Sequence, residues 1–187
     1  MQRYIAFLSG IAVGSTAESM ENVRRLFTQL GFSRVETYLR TGNVIFETAP
    51  VGVIPPLEAQ ITRYLQKSLA GEVEVFIRTP EELEEIVEYE AYPGEDTNGA
   101  QFVVLLHELV SDRVQRELRF VRTEADEFRA NGREIYWLRR TSQTEAARPP
   151  AIGETLGMPA TVRAHAALKR LAAKYAGSPT AFARSRR

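Results

Sequence analysis

Between Tyr4 and Arg78 four short β-rich runs are separated by a helical stretch, a glycine turn and a second helical stretch, an order that leaves few folds open. YIAFLS, residues 4–9, is an apolar run too short for a helix and bounded by Gly10, which reads as a buried strand. Ser19 then precedes Met20, Val23, Leu26, Phe27 and Leu30, the spacing of one apolar helix face, and Gly31 ends it. VETYLR and NVIFE flank Thr41-Gly42 and read as a hairpin. Val35, Thr37 and Leu39 are expected on one face of it, with Glu36, Tyr38 and Arg40 on the other. After the loop APVGVIPP, a second helix carries Leu57, Ile61, Tyr64, Leu65 and Leu69, and Gly71 closes it. EVEVFIR alternates cleanly, turning Val73, Val75 and Ile77 inward and Glu72, Glu74, Phe76 and Arg78 away. The order is βαββαβ, the ferredoxin-like arrangement, in which the first and third strands are antiparallel neighbours.

Thr79-Pro80-Glu81-Glu82 starts a helix, with a Thr cap, Pro in the first turn and Glu placed for a capping box. The acidic run Glu81 to Glu90 is then the solvated face of that helix. AYPGEDTNGA, residues 91–100, marks a boundary. Beyond it QFVVLL reads as a buried strand, SDRVQREL as a short helix, and ADEFRANGREIYWLRR as a hairpin turning at Asn131-Gly132. A polar loop, TSQTEAARPP, leads to a short helix at AIGETLG and a last helix from Thr161 to Tyr175. The expected fold class is α+β. A ferredoxin-like βαββαβ subdomain with a trailing helix spans residues 1–92, and a second α+β subdomain with a β-hairpin and C-terminal helices spans 101–177. Residues 178–187 form a basic tail expected to be disordered. Both halves run strand, helix, hairpin.

Composition removes several function classes. Lys+Arg and Asp+Glu balance at 24 each, so no global field draws a polyanion, and nucleic acid is not the expected partner. There is no cysteine, which excludes disulfides, thiolate zinc sites and a cysteine nucleophile. His107 and His165 are the only imidazoles, too few for a multi-histidine metal site, and neither a metal nor a cofactor is expected. Arg3 followed by an apolar stretch to Val13 has the outline of a secretory leader, but Ser9-Gly10 interrupts it and the cleavage region lacks a good small-x-small site. No other segment approaches the roughly 20 apolar residues that span a bilayer, and a cytoplasmic protein is expected.

The stretch from Ser9 to Thr16, SGIAVGST, lies between a strand and a helix and holds the chain's candidate site. It lacks the Lys and the spacing of a triphosphate-binding loop, and the dinucleotide fingerprint fails as well. A glycine-bearing loop at a helix start still presents free backbone N–H groups, which suit an anion. Strand order brings Ser9-Gly10 to the start of the third strand, so Ser9, Gly10, Gly14 and Ser15 are expected to share a corner with Arg40, Thr41 and Asn43. The competing reading is structural: Gly10, Gly14 and Gly42 permit positive φ in turns, and Asn43 satisfies the hairpin backbone.

GIAVG after an apolar strand, LGFSRVETYLRTGNVIFE, and ATVRAHAALKRLA together resemble the bacterial family catalogued as domain of unknown function sixteen ninety-seven. The resemblance covers nearly the whole chain and implies a ferredoxin-like N-terminal subdomain joined to a second α+β subdomain, without an established activity. Where the family reads R-G-I-N-V-G-G, this chain has Ser9, Ala12 and Ser15 in place of Arg, Asn and the last Gly. Its T-x-R-N-W-x-T becomes Thr161-Val162-Arg163-Ala164-His165-Ala166-Ala167, which keeps Thr and Arg and brings Arg163 and His165 forward as a contribution from the second subdomain. Arg40, where the family has Gln, would then replace the positive charge missing at Ser9.

Three functions remain open on this reading. The first is a module binding a small anionic ligand or a protein partner at the corner. The second is an RNA-binding ferredoxin-like module, which needs aromatic side chains on two neighbouring strands of an open sheet face. The third is an enzyme of unspecified reaction, with Ser9, Ser15 or Thr41 as nucleophile and His165 or Glu18 as base.

Overall fold

The computed structural model describes residues 1–10, 17–39, 41–94, 100–140 and 157–176. The helix expected at AIGETLG, but for its last residue, and the loop and tail expected at 141–150 and 178–187 lie outside them. The first half runs β1 (Gln2–Ser9), α1 (Ala17–Gln29), β2 (Ser33–Tyr38), β3 (Asn43–Thr48), α2 (Pro55–Leu69), β4 (Glu74–Arg78) and α3 (Pro80–Glu88). Its strands form an antiparallel sheet ordered β2-β3-β1-β4. β1 is therefore central, which accounts for an apolar run without alternation. Ile5 and Phe7 enter one core, while Tyr4, Ala6 and Leu8 enter another on the opposite face. The capping box at Thr79 forms as its residues predict, with both reciprocal hydrogen bonds to Glu82 present.

The second half runs β5 (Ala100–Leu106), α4 (Asp112–Val121), β6 (Asp126–Asn131), β7 (Glu134–Arg139), β8 (Ala160–Ala164) and α5 (His165–Tyr175). Its sheet is ordered β6-β7-β5-β8, the same plan as the first. Here the sequence reading needs correction, because Thr161 to Ala164 is a strand and the helix begins only at His165. β-Branched Thr161 and Val162 favour extended backbone and pair with Leu105 and Val104. A second departure lies in β2, where a bulge between Ser33 and Glu36 breaks the alternation. Leu39 lies past the end of the strand, with φ at 58°, and is exposed.

The inner faces of the two sheets bury one shared core. Ile5, Phe7, Ile45 and Phe76 meet Val103, Leu105, Tyr136 and Leu138, and α3 and α5 seal the seam with Leu83, Ile86, Leu168 and Leu171. The outer face of the first sheet packs on α1 and α2, and that of the second on α4. Phe76 and Arg78 do face away from Val75 and Ile77, but the second half covers them completely. Among the described residues no helix is long and apolar enough to cross a membrane.

Candidate functional site

The corner expected around Ser9 and Asn43 is the first of two matched joints between the halves. Phe7 pairs with Asn43 across β1 and β3, and the Leu8 N–H donates to the Gly42 carbonyl at 2.7 Å. Arg163, reaching across from β8, fills the corner. Its Nε donates to Asn43 Oδ1 at 2.9 Å, and Nη1 donates to Thr161 Oγ1 and the Val162 carbonyl. Nη2 donates to the carbonyls of Leu8 at 2.9 Å and Gly42 at 3.4 Å. All five guanidinium donors are thereby used. The Asn43 amide closes the other side, donating to the Tyr38 carbonyl and Thr41 Oγ1.

The second joint repeats the first with the halves exchanged. Arg78, at the end of β4, donates from Nε to Glu134 Oε1 at 2.8 Å and from Nη1 to the Ile77 carbonyl. Its Nη2 donates to the carbonyls of Leu106 at 2.8 Å and Arg133 at 3.4 Å. Leu106 stands in β5 as Leu8 stands in β1, and its N–H likewise donates to the hairpin-turn carbonyl, here Arg133. The two cages differ in two groups: Glu134 supplies a carboxylate where Asn43 supplies an amide, and the Thr161 hydroxyl of the first cage has no counterpart in the second. Arg163 is 8% exposed and meets only neutral acceptors among the described residues, and burial alone brings its guanidinium down to about 10. Arg78 is 1% exposed and is also pushed down by burial, but the Glu134 carboxylate opposes that push.

Gly10 and Gly42 have the structural duty expected of them. Gly10 has φ of 76°, and a Cβ there would lie 1.7 Å from the Glu72 carbonyl oxygen. Gly42 has φ of 73° and backs onto Leu8 and the Arg163 guanidinium. Gly14, Ser15 and Arg40 lie outside the described residues, as does Ala12. His165 does not join the corner. It opens α5 and bonds the Val87 backbone, away from Ser9 and Thr41. The aromatic residues that an RNA-binding face would use, Phe7 and Phe76, are both fully buried.

Two hollows along the seam hold groups of chemical interest, one of them around a site the sequence reading passed over. His107, just beyond β5, has Nδ1 3.1 Å from Glu58 Oε2 and Nε2 3.5 Å from Glu74 Oε2, and it stacks on Phe76 with ring centres 4.2 Å apart. Glu58 is buried, its other oxygen accepting from the Ile77 N–H at 2.6 Å. Burial pulls the His107 imidazole down, but Glu58 and Glu74 outweigh it and hold it above its ordinary value. The visible signal was Glu58 itself, a carboxylate inside the apolar stripe Leu57, Ile61, Leu65. This hollow measures about 400 Å³, and a second, of about 370 Å³, lies at His165 and Lys169. No group of three or more His, Cys, Asp or Glu among the described residues is arranged to hold a metal ion.

Residues 1–136 match the model of a family described as "Protein of unknown function (DUF1697)". No curated protein matches. A solved structure, that of a conserved bacterial protein from Streptococcus pneumoniae, is similar at a TM-score of 0.64 and 20% identity. The likeness covers 93% of this chain and 98% of that one, and it shows a shared fold.

Proposed function

The chain belongs to the DUF1697 family of proteins of unknown function, so its activity has to be read from its own residues, and we propose that it binds a small anion at the Asn43–Arg163 joint. The observation that carries this reading is the difference between the two cages. Arg78 has its counter-charge built in as Glu134, whereas Arg163 is a buried cation held by amide, hydroxyl and carbonyl oxygens. A buried charge without a partner of opposite sign is costly, and an anion nearby offsets that cost. At an effective dielectric near 20, a unit anion about 6 Å from the guanidinium gains roughly 3 kcal/mol.

Because every Arg163 N–H is occupied, the anion is held by the charge of Arg163 and by other donors. Ser9, Gly10 and Thr41 lie at the same corner, and Gly14, Ser15 and Arg40 complete the set that the sequence suggests. Catalysis by the same corner has less support, since Thr41 Oγ1 is engaged by Asn43 and no described imidazole stands at it. Nor is there an open aromatic sheet face for RNA among the described residues, because the second half covers Phe7 and Phe76.

Asn43→Glu tests the reading, because it installs in the first cage the carboxylate that the second already has. Inorganic phosphate should raise the melting temperature of the unaltered protein above that in chloride of equal ionic strength. The expected rise is roughly 3 °C once phosphate exceeds its Kd about tenfold. The variant should melt higher without phosphate and gain nothing from it. An equal phosphate gain in both proteins would place the anion elsewhere.

A further inference from the structure

α4 lays its apolar side, Val114 and Leu118, on the second sheet, and its opposite side carries Arg116 and Phe120, one helical turn apart. Phe120 is 87% exposed, more than any other large apolar side chain among the described residues. Arg119 and Arg122 are exposed beside it. Glu117 is taken by Arg113 at 2.7 Å, so Arg116, Arg119 and Arg122 stand without an ion-pair partner among the described residues. An aromatic ring set among guanidiniums suits an interface in which the ring is the anchor and the charges are the rim.

The complement of this ridge is on the same chain. α3 buries Leu83 and Ile86 and turns Glu81, Glu85 and Glu88 outward in a row, none of them ion-paired among the described residues. At Glu85 opens a hollow of about 320 Å³, walled by Ile86, Leu109 and the Asn131-Gly132 turn. Leu109 is 72% exposed, so the hollow offers an accessible apolar wall beside an exposed carboxylate. Leu109 leads through the Ser111 cap directly into α4, which makes the acidic hollow and the basic ridge neighbours. The net charge of the chain is zero, so no long-range repulsion keeps two copies apart.

We propose that the chain pairs with a second copy of itself about a two-fold axis. Phe120 of each copy enters the hollow at Leu109 of the other, and Arg116 and Arg119 meet Glu85 and Glu81. The two-fold makes this contact twice, because each copy supplies one ridge and one hollow. A membrane of anionic lipid or a nucleic acid would satisfy the arginines alone, and the neighbouring glutamate row would repel it. The pairing does not depend on the anion corner, which lies at the first joint.

Sedimentation velocity of the full chain tests the pairing. Dimers should form with a dissociation constant on the order of 10 μM at low salt, and about 0.5 M sodium chloride should weaken them at least about tenfold. Phe120→Ser, at a position the fold leaves in water, should weaken pairing at least about tenfold as well. Arg116→Glu and Glu85→Arg, both at exposed positions, should each be monomeric, because either sets like charges together in both contacts. Mixed in equal amounts the two variants should pair again, since one contact of the mixed dimer is then charge-reversed and the other is native. A chain that stays monomeric far above the expected dissociation constant overturns the proposal. So does association that survives Phe120→Ser, or that fails to return in the mixture. Species larger than a dimer overturn the two-fold closure. A monomer that sediments with phosphatidylglycerol vesicles, and ceases to with Phe120→Ser, overturns the pairing and gives the ridge to a membrane.

Discussion

A buried guanidinium is tolerated when its N–H groups meet acceptors; Arg78 and Arg163 share the same arrangement of strand-end, turn and own-strand carbonyls, and Arg163 adds the Thr161 hydroxyl. The joints therefore depend on backbone placed to within a few tenths of an ångström. Glu134→Gln should put an amide in the second cage where the first has one and cost about 1–3 kcal/mol in urea denaturation, because Arg78 keeps its hydrogen bonds and loses its counter-charge. Gly10→Ala should cost at least about 2 kcal/mol, since its Cβ meets the Glu72 carbonyl and its φ is left-handed. At this scale the sequence showed the parts and not the links. Asn43 and Arg163 both stood out, but 120 residues separate them and no local periodicity joins them. Arg78 was legible as outward-facing by parity, and only the second sheet reveals what it faces.

Elements whose signal is local were legible, and those fixed by a distant partner were not. The capping box is a four-residue pattern, and its removal by Thr79→Ala should cost about 1 kcal/mol, read as a lower melting temperature. β8 has no local signature that outweighs the helix after it, and it becomes a strand because β5 presents an edge at Val103 to Leu105. The ends of β5 and β8 also place the two histidines in opposed environments, which gives a test by pH. His107, facing Glu58 of α2 and Glu74 of β4, is raised on folding. Its contribution is complete below its ordinary 6.5 and drains away as pH rises through the folded value. His165, facing Lys169 and the Val87 backbone, is lowered, so its contribution is complete above 6.5 and drains away as pH falls through the folded value. Melting temperatures recorded on either side of pH 6.5 should accordingly separate the two variants. His107→Gln should lose stability toward acid and His165→Phe toward alkali, and slopes of the same sign in both would refute the assignment.

For the whole molecule, the reciprocal joints and the shared core make each half depend on the other. The first sheet covers one face with its own helices, but its inner face, with Ile5, Phe7, Ile45 and Phe76, is closed only by the second half. Each half also lends the other a buried arginine, so separation would strand Arg78 and Arg163 as well as expose apolar surface. The doubled βαββ order was visible in the sequence, yet whether the halves fold apart or together was not, because face-to-face packing leaves no periodic trace. The physical expectation is a single cooperative transition. Trp137, the only tryptophan, is buried in β7 between Phe102 and Phe128 and reports on the second half alone, while far-UV circular dichroism reports on both. Their urea midpoints should coincide. A fragment of residues 1–92 should self-associate through the bared face of its sheet. Two separated midpoints, or a monomeric and well-dispersed fragment, would show that the seam is a contact between independent units and that the arginine cages form after folding.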